Sequence, residues 1–324
     1  MTPDIEQAAA ILRRGGLVAF PTETVYGLGA DAENTEAVAR IFTAKGRPTN
    51  HPLIVHIGHA GLLDRWATDI PPMALQLAQR FWPGPLTLIL KRSGNVPDAI
   101  TGGQDTVGLR MPDHPVALAL LAAFGGGIAA PSANRFGRLS PTTAEHVRAG
   151  LGASVDYVLD GGPCRVGIES SILDLSGSRP QLLRPGMITA AEIEAVLGRP
   201  LAVPTGEIPR APGALPSHYA PQTALMLVPT NDLVGKIKQC LENGERVAVL
   251  ARSVTPALPQ CIWQIMPDDP GCYAHELYAR LREIDALQAN RILVEAPPLG
   301  ITWLAVRDRL ARAAQAEHYA QLPR

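Results

Sequence analysis

At 324 residues with 46% hydrophobic residues, the chain is long enough for two domains, each with its own core. A net charge of −1 provides no global basic field for nucleic acid or an anionic membrane, so any nucleic-acid contact must be local. The cysteines Cys164, Cys240, Cys261 and Cys272 form no C-x-x-C pair or zinc-type spacing, which fits a reducing cytoplasm; with no basic, apolar leader and no run of about eighteen apolar residues, neither a signal peptide nor a membrane span is expected.

Ile5, Ala8, Ala9 and Leu12 fall on one face of a helix over residues 4–14, which the Gly15-Gly16 turn ends. Residues 17–20 read as a buried strand opening at Pro21 into a loop dense in hydroxyls and glycines. Asn34 caps a helix carrying Val38, Ile41 and Phe42 at i, i+3 and i+4, with Gly46 past its end and Pro48 beyond. Lys45 and Arg47 therefore stand at a helix exit, facing the hydroxyl-rich loop, and suggest a site for a small anion. A strand over 52–57, a helix over 73–81, strands over 86–90 and 107–111, a helix over 115–124 and a strand over 128–130 come next. Around residue 140 two helix starts overlap: Ser140 as cap with Pro141 at the first position, or Thr142 and Glu145 as a capping box. Strands over 157–160 and 171–175, and a helix opened by a Thr189/Glu192 capping box, complete the first half.

Between Arg199 and Gln222, six prolines (Pro200, Pro204, Pro209, Pro212, Pro216 and Pro221) deny the chain regular structure. The expected division is a domain over 1–198, a linker over 199–223 and a second domain over 224–324. In the last part strands (224–228, 247–251, 262–266, 292–295) alternate with helices (231–242, 273–289, 303–315), the pattern of a small parallel α/β domain.

No G-x-x-x-x-G-K-[ST], complete G-x-G-x-x-G or kinase-like set is present. A nucleotide would have to be held by dispersed cations, hydroxyls and backbone N–H groups: Lys45, Arg47, Arg110, Ser132, Asn134, Ser140 and Arg184, all in loops that an α/β sheet can bring to one crevice. Each also has an ordinary reading as surface charge, turn residue or cap. His51, His56 and His59 match no metal-ligand spacing, and a histidine inside an apolar strand, such as His56, reads as a satisfied polar group. Glu23 and Glu169 are candidate general bases that the sequence cannot pair. Cys164 lacks an activating base and reads as buried.

Eight segments in order carry a resemblance: Phe20 through Gly29 (FPTETVYGLG), Lys45-Gly46-Arg47-Pro48, Pro52 through Ile57 (PLIVHI), Trp82 through Thr87 (WPGPLT), Leu109-Arg110-Met111-Pro112, Ala130 through Asn134 (APSAN), Gly167 through Ser171 (GIESS) and Leu183-Arg184-Pro185-Gly186. Over about residues 5–198 the chain resembles the YrdC family of threonylcarbamoyl-AMP synthases, and His218-Tyr219-Ala220-Pro221 before a second α/β unit resembles the long, two-domain form. The resemblance implies an α/β fold: a YrdC-like twisted, mostly parallel open sheet with flanking helices, plus a small Rossmann-like C-terminal domain. It implies a nucleotidyltransferase that turns L-threonine, bicarbonate or CO2, and ATP with Mg²⁺ into L-threonylcarbamoyladenylate and pyrophosphate, in the cytoplasm, feeding the downstream tRNA threonylcarbamoyl transferase machinery. Direct tRNA binding is left open.

By position, the resemblance implies threonine contacts at Thr24, His56, Arg110, Ala130 and Ser170, and ATP contacts at Arg47, His51, Thr106, Ser132, Ser140, Arg184 and Tyr219. It implies that Lys45 and Arg47 form the catalytic cationic pair and that the proline-rich linker covers the nucleotide; no residue is assigned as a metal ligand. Three positions depart from the family pattern: His51 stands where Asn is usual, Ser171 where Thr is usual, and residues 211–219 lack the usual basic, aromatic stretch. The competing readings are a non-catalytic double-stranded RNA or tRNA binder of the same fold, and a carbamoyl-transfer enzyme acting on another substrate, although the chain lacks the segments that accompany the latter role.

Overall fold

The computed structural model describes residues 2–203, 208–213, 219–253 and 258–314. These form two compact units; residues 137–139, although inside the first half of the sequence, group with the second.

The first unit is built on nine strands: β1 (Val18–Phe20), β2 (Gly27–Asp31), β3 (Ile54–His56), β4 (Leu86–Lys91), β5 (Thr106–Arg110), β6 (Ile128–Ala129), β7 (Tyr157–Val158), β8 (Ser171–Asp174) and β9 (Gln181–Arg184), in the order β7-β1-β2-β6-β3-β5-β4-β8-β9. Residues alternate between its faces. Leu17 and Ala19 enter one apolar cluster, which takes Val38, Ile41 and Phe42 from the helix Thr35–Lys45 and Leu77 from Pro72–Phe81. Val18 and Phe20 enter another, with Ile5, Ala8, Ala9 and Leu12 of the helix Pro3–Arg13 and Ala117, Leu120 and Leu121 of Pro115–Phe124. Helices therefore cover both faces, the arrangement of an α/β fold.

The sheet departs from the expected mostly parallel one, since it is mixed. β1 with β7, β3 with β5 and β4 with β8 are parallel; β1 with β2, β2 with β6, β6 with β3, β5 with β4 and β8 with β9 are antiparallel. Short connections without a crossover helix, as between β1 and β2 or β8 and β9, can only turn the chain back on itself. β2 and β9 are unforeseen strands. The glycines that make β2 read as a loop are there for close approach: a Cβ on Gly29 would lie 2.8 Å from both Phe20 and Ile128.

Helix boundaries obey the capping chemistry. Asn34 accepts from the N–H groups of Glu36 and Ala37, Gly46 ends that helix at φ 62°, and Thr189 and Glu192 form the expected capping box for Ala190–Leu197. Neither expected start near residue 140 is used. Thr143 caps the helix Ala144–Leu151, because the Ser140 hydroxyl is committed to Glu169 and the Pro141 carbonyl to Tyr26.

The second unit has four parallel strands, β10 (Ala224–Val228), β11 (Val247–Ala251), β12 (Ile262–Ile265) and β13 (Arg291–Glu295), in the order β10-β13-β11-β12, with helices Leu233–Glu242, Pro270–Ala286 and Leu304–Ala314. Glu295, at the carboxyl end of β13, accepts hydrogen bonds from the backbone N–H groups of Arg252 and Ser253 and from the hydroxyls of Ser253 and Thr230, tying three strand ends together. Burial pushes its carboxyl up, but these hydrogen bonds outweigh burial and hold it below its ordinary value. No helix among the described residues is long and apolar enough to cross a membrane.

Candidate active site

The loop between β1 and β2 is the hub of the first unit. Its backbone accepts from the N–H groups of Val166 and Gly167 at Glu23 and Thr24, and it exchanges Tyr26 N–H to Pro141 O and Ala133 N–H to Tyr26 O. The segments carrying Ser132, Ser140 and Ser170 are thereby drawn around it.

Inside the loop a directed hydrogen-bond chain forms. Thr22 Oγ1 donates to Val25 O at 2.6 Å, so its lone pairs receive the Thr24 hydroxyl at 2.8 Å. Thr24 Oγ1 in turn accepts from Arg110 Nη1 at 2.9 Å. Arg110 stands at the end of β5, buried, with Nε donating to Gly84 O at 3.3 Å and Nη2 ion-paired to Glu23 Oε1 at 2.6 Å. Beside it in register on β3 is His56, buried against the Phe20 ring edge, with Nδ1 lacking a hydrogen-bond partner. The ring makes backbone hydrogen bonds to Ile54 and Ile128, so the satisfied polar group expected from sequence holds for the ring apart from Nδ1. Burial, and then the Arg110 charge, push this imidazole down to about 3, so it is neutral at physiological pH. Ala130, whose N–H donates to Ile54 O, lines up beside the same strand.

A second cluster surrounds Ser170. Arg184 Nη2 donates to its Oγ at 3.1 Å and Nε to its carbonyl at 3.0 Å, while Thr87 Oγ1 lies 2.8 Å from the same hydroxyl. Ser171, where the resemblance expects Thr, uses its hydroxyl to donate to Ile188 O at 2.6 Å. Ser140 Oγ donates to Glu169 Oε1 at 2.6 Å. Thr87, which the sequence marks only as the end of the Trp82 through Thr87 segment, gains no site role from sequence because it sits in an apolar strand; its signal is the one hydroxyl in Leu86-Thr87-Leu88-Ile89-Leu90.

Lys45 forms the third. The helix Thr35–Lys45 delivers its ammonium into the interior, where Nζ donates to Ser132 O at 2.5 Å and Asn134 O at 2.6 Å. Burial, and then repulsion from Arg47, lowers its pKa well below that of an ordinary lysine. Arg47, also buried, donates from Nη2 to Pro52 O at 2.8 Å. His51 lies edge-on to Phe136 at 5.5 Å, and its pKa is lowered by burial, then by Arg47 and Arg210.

Residues 210–213 of the proline-rich segment cross the sheet of this unit. Arg210 N–H donates to Gln104 Oε1 at 2.6 Å, Arg184 Nη1 to Pro212 O at 2.8 Å, and Ala211 packs on Ile54, Ile89 and Ile172. Arg210 and Pro212 line a narrow crevice with Thr106, Thr87 and Gly108. Tyr219 belongs to the second unit: φ is 62°, its ring stacks at 5.9 Å from Tyr278, and Arg309 lies over it at 5.3 Å. His218 lies outside the described residues. Cys164 is buried, its thiol pushed up to about 12 by burial, which fits the inert reading.

The family described as telomere recombination (Sua5, YciO and YrdC) matches residues 10–186, and the threonylcarbamoyl-AMP synthase C-terminal domain matches residues 188–315. The threonylcarbamoyl-AMP synthase of Bacillus subtilis is 43% identical, with 96% of this chain and 93% of that protein covered, and that of Pyrococcus abyssi 42%, with 96% and 94% covered. The crystal structure of P. abyssi Sua5 complexed with L-threonine superposes with a TM-score of 0.89 at 41% identity, covering 96% of this chain and 94% of that one. With both of its parts matched in order and nearly its whole length aligned, the chain belongs to the threonylcarbamoyl-AMP synthase family in its two-domain Sua5 form.

Proposed function

We propose that the protein is a nucleotidyltransferase that makes L-threonylcarbamoyladenylate and pyrophosphate from L-threonine, bicarbonate or CO2, and ATP, the first step of threonylcarbamoyladenosine formation in tRNA. The observation that carries the reading is two kinds of buried cation around one loop: Arg110, tethered to Thr24, and Lys45, whose ammonium is held by two carbonyls. The first suits an α-carboxylate, which a guanidinium grips bidentately, and the second a polyanion that would restore its full charge. The Pyrococcus relative's complex with L-threonine supports the first assignment.

In this reading Thr24, His56, Arg110, Ala130 and Ser170 hold threonine. Arg47, His51, Thr106, Ser132, Ser140 and Arg184 hold ATP. Tyr219 is assigned with them from the family pattern. The threonine amine, once deprotonated, takes up CO2; a carbamate oxygen then attacks the α-phosphorus, the bond to the pyrophosphate oxygen breaks, and pyrophosphate leaves. Lys45, Arg47 and Arg184 neutralise the charge that builds on phosphate oxygens, in a buried setting where fixed cations act strongly. Mg²⁺ would accompany the triphosphate and supply further charge neutralisation. Phosphate oxygens would be its main ligands, as is usual for a nucleotide's Mg²⁺, which needs at most one or two protein carboxylates. Such an adenylate would pass to a tRNA threonylcarbamoyl transferase.

The test is pyrophosphate release by the purified chain. Release that requires ATP, L-threonine and bicarbonate together is expected; release at background with all three present would refute the reading. The RNA-binding alternative is not favoured, because the cations that define the site are buried rather than spread over a surface that could meet phosphates.

A further inference from the structure

Arg110 is held by its own protein before any ligand arrives. Gly84 O and Thr24 Oγ1 accept hydrogen bonds from its Nε and Nη1, Nη2 is ion-paired to Glu23 Oε1 at 2.6 Å, and Glu23 Oε2 accepts the Asp113 N–H at 3.0 Å. Both side chains of the pair are buried, at 5% and 1% exposure. Three contacts against five guanidinium N–H groups leave donors on both Nη atoms, so the fork can still take a carboxylate.

Glu23 cancels the charge of Arg110. A ligand carrying only a carboxylate would bring a negative charge against a buried ion pair that is already neutral, close to Glu23. An α-amino acid does not, because its ammonium sits on the carbon next to the carboxylate and offsets Glu23 within the same site. Glu23 is a fixed partner of Arg110, ion-paired at Oε1 and anchored at Oε2 by the Asp113 N–H. It acts by charge and by holding Arg110 in place.

We infer that Glu23 is a specificity-determining residue whose carboxylate, paired with Arg110, makes the pocket select a zwitterionic α-amino acid over the same acid without its amine. The inference rests on the reading of Arg110 as the carboxylate grip. It rejects the wrong ligand through a repulsive element rather than an added contact.

The experiment uses calorimetric titration of the full chain, wild type and Glu23→Gln, with L-threonine and with 2,3-dihydroxybutanoate, its analogue bearing a hydroxyl in place of the amine. The wild type should prefer threonine by at least about 10-fold, and Glu23→Gln should shrink that ratio by about 10-fold or more while ATP affinity stays within about 2-fold. Loss of affinity for both ligands in equal proportion would make Glu23 merely structural and overturn the inference. If Glu23→Gln does not fold, two results still decide: equal wild-type affinity for the two ligands overturns it, and Glu23→Asp, which keeps the charge, must keep the preference. A wild type that binds no threonine would overturn the proposed function as well, whereas one that binds both ligands equally overturns only this inference.

Discussion

Arg110 and His56 are neighbours in register on β5 and β3, yet they answer to different forces. Arg110 is ion-paired to Glu23 inside the fold, so removing it strands a buried carboxylate: Arg110→Ala should cost about 3–5 kcal/mol of stability in denaturant melts. Arg110→Lys keeps the charge but loses the planar fork. Losing one charge-assisted hydrogen bond of about 1.5–3 kcal/mol should raise the threonine KM about 10- to 100-fold with the ATP KM little changed; the opposite pattern would reassign the residue. His56 has no anionic partner, and its folded pKa of about 3 lies below its ordinary 6.5. The unfolded chain therefore binds the proton first, and the stability this residue contributes is complete above pH 6.5 and lost as pH falls toward 3, by about 1.4 kcal/mol per pH unit. A His56→Asn variant should show a correspondingly flatter stability curve between pH 6.5 and 4.5 in urea titrations.

The helix Thr35–Lys45 shows how an element carries a site. Its start and end are written locally, in Asn34 and Gly46, and its apolar stripe decides which face is buried. That geometry sends Lys45, in its last turn, into the interior beside the Ser132 and Asn134 carbonyls. Gly46→Ala meets no steric neighbour but must adopt φ 62°, so it should cost about 1 kcal/mol, measurable by chemical denaturation. Asn34→Ala should cost a similar amount, about 1 kcal/mol, by leaving the Glu36 and Ala37 N–H groups without their cap. The helix Ala144–Leu151 teaches the converse. Ser140 and Thr142 both had credible local claims to its start, and a distant carboxylate, Glu169, took Ser140 instead.

Across the whole chain, residues 208–213 are the stretch of the proline-rich segment whose placement matters most to the first unit. Ending the chain before Arg210 removes the Pro212 carbonyl from Arg184 and uncovers Ile54, Ile89 and Ile172, and it removes the second unit with which residues 137–139 group. Such a truncation should bind a hydrophobic dye more strongly and show a raised ATP KM. Unchanged turnover and ATP affinity would leave Tyr219 and the segment without a role in the reaction.

The sequence by itself determined the helices with their caps, the apolar strands, the alternating α/β pattern of the last hundred residues and the family motifs, because each rests on local spacing or local capping chemistry. Tertiary structure alone decided the direction of strand pairing, the identity of β2 as a strand packed under Phe20 and Ile128, and the membership of residues 137–139 in the second unit. It also decided the partners of the charged groups: Glu23 with Arg110, Glu169 with Ser140, and His56 with none at Nδ1. The physical reason is distance along the chain. Glu23 and Arg110 come from loops and strands far apart in sequence, and only folding removes the water that would otherwise screen their charges, making that one pairing decisive.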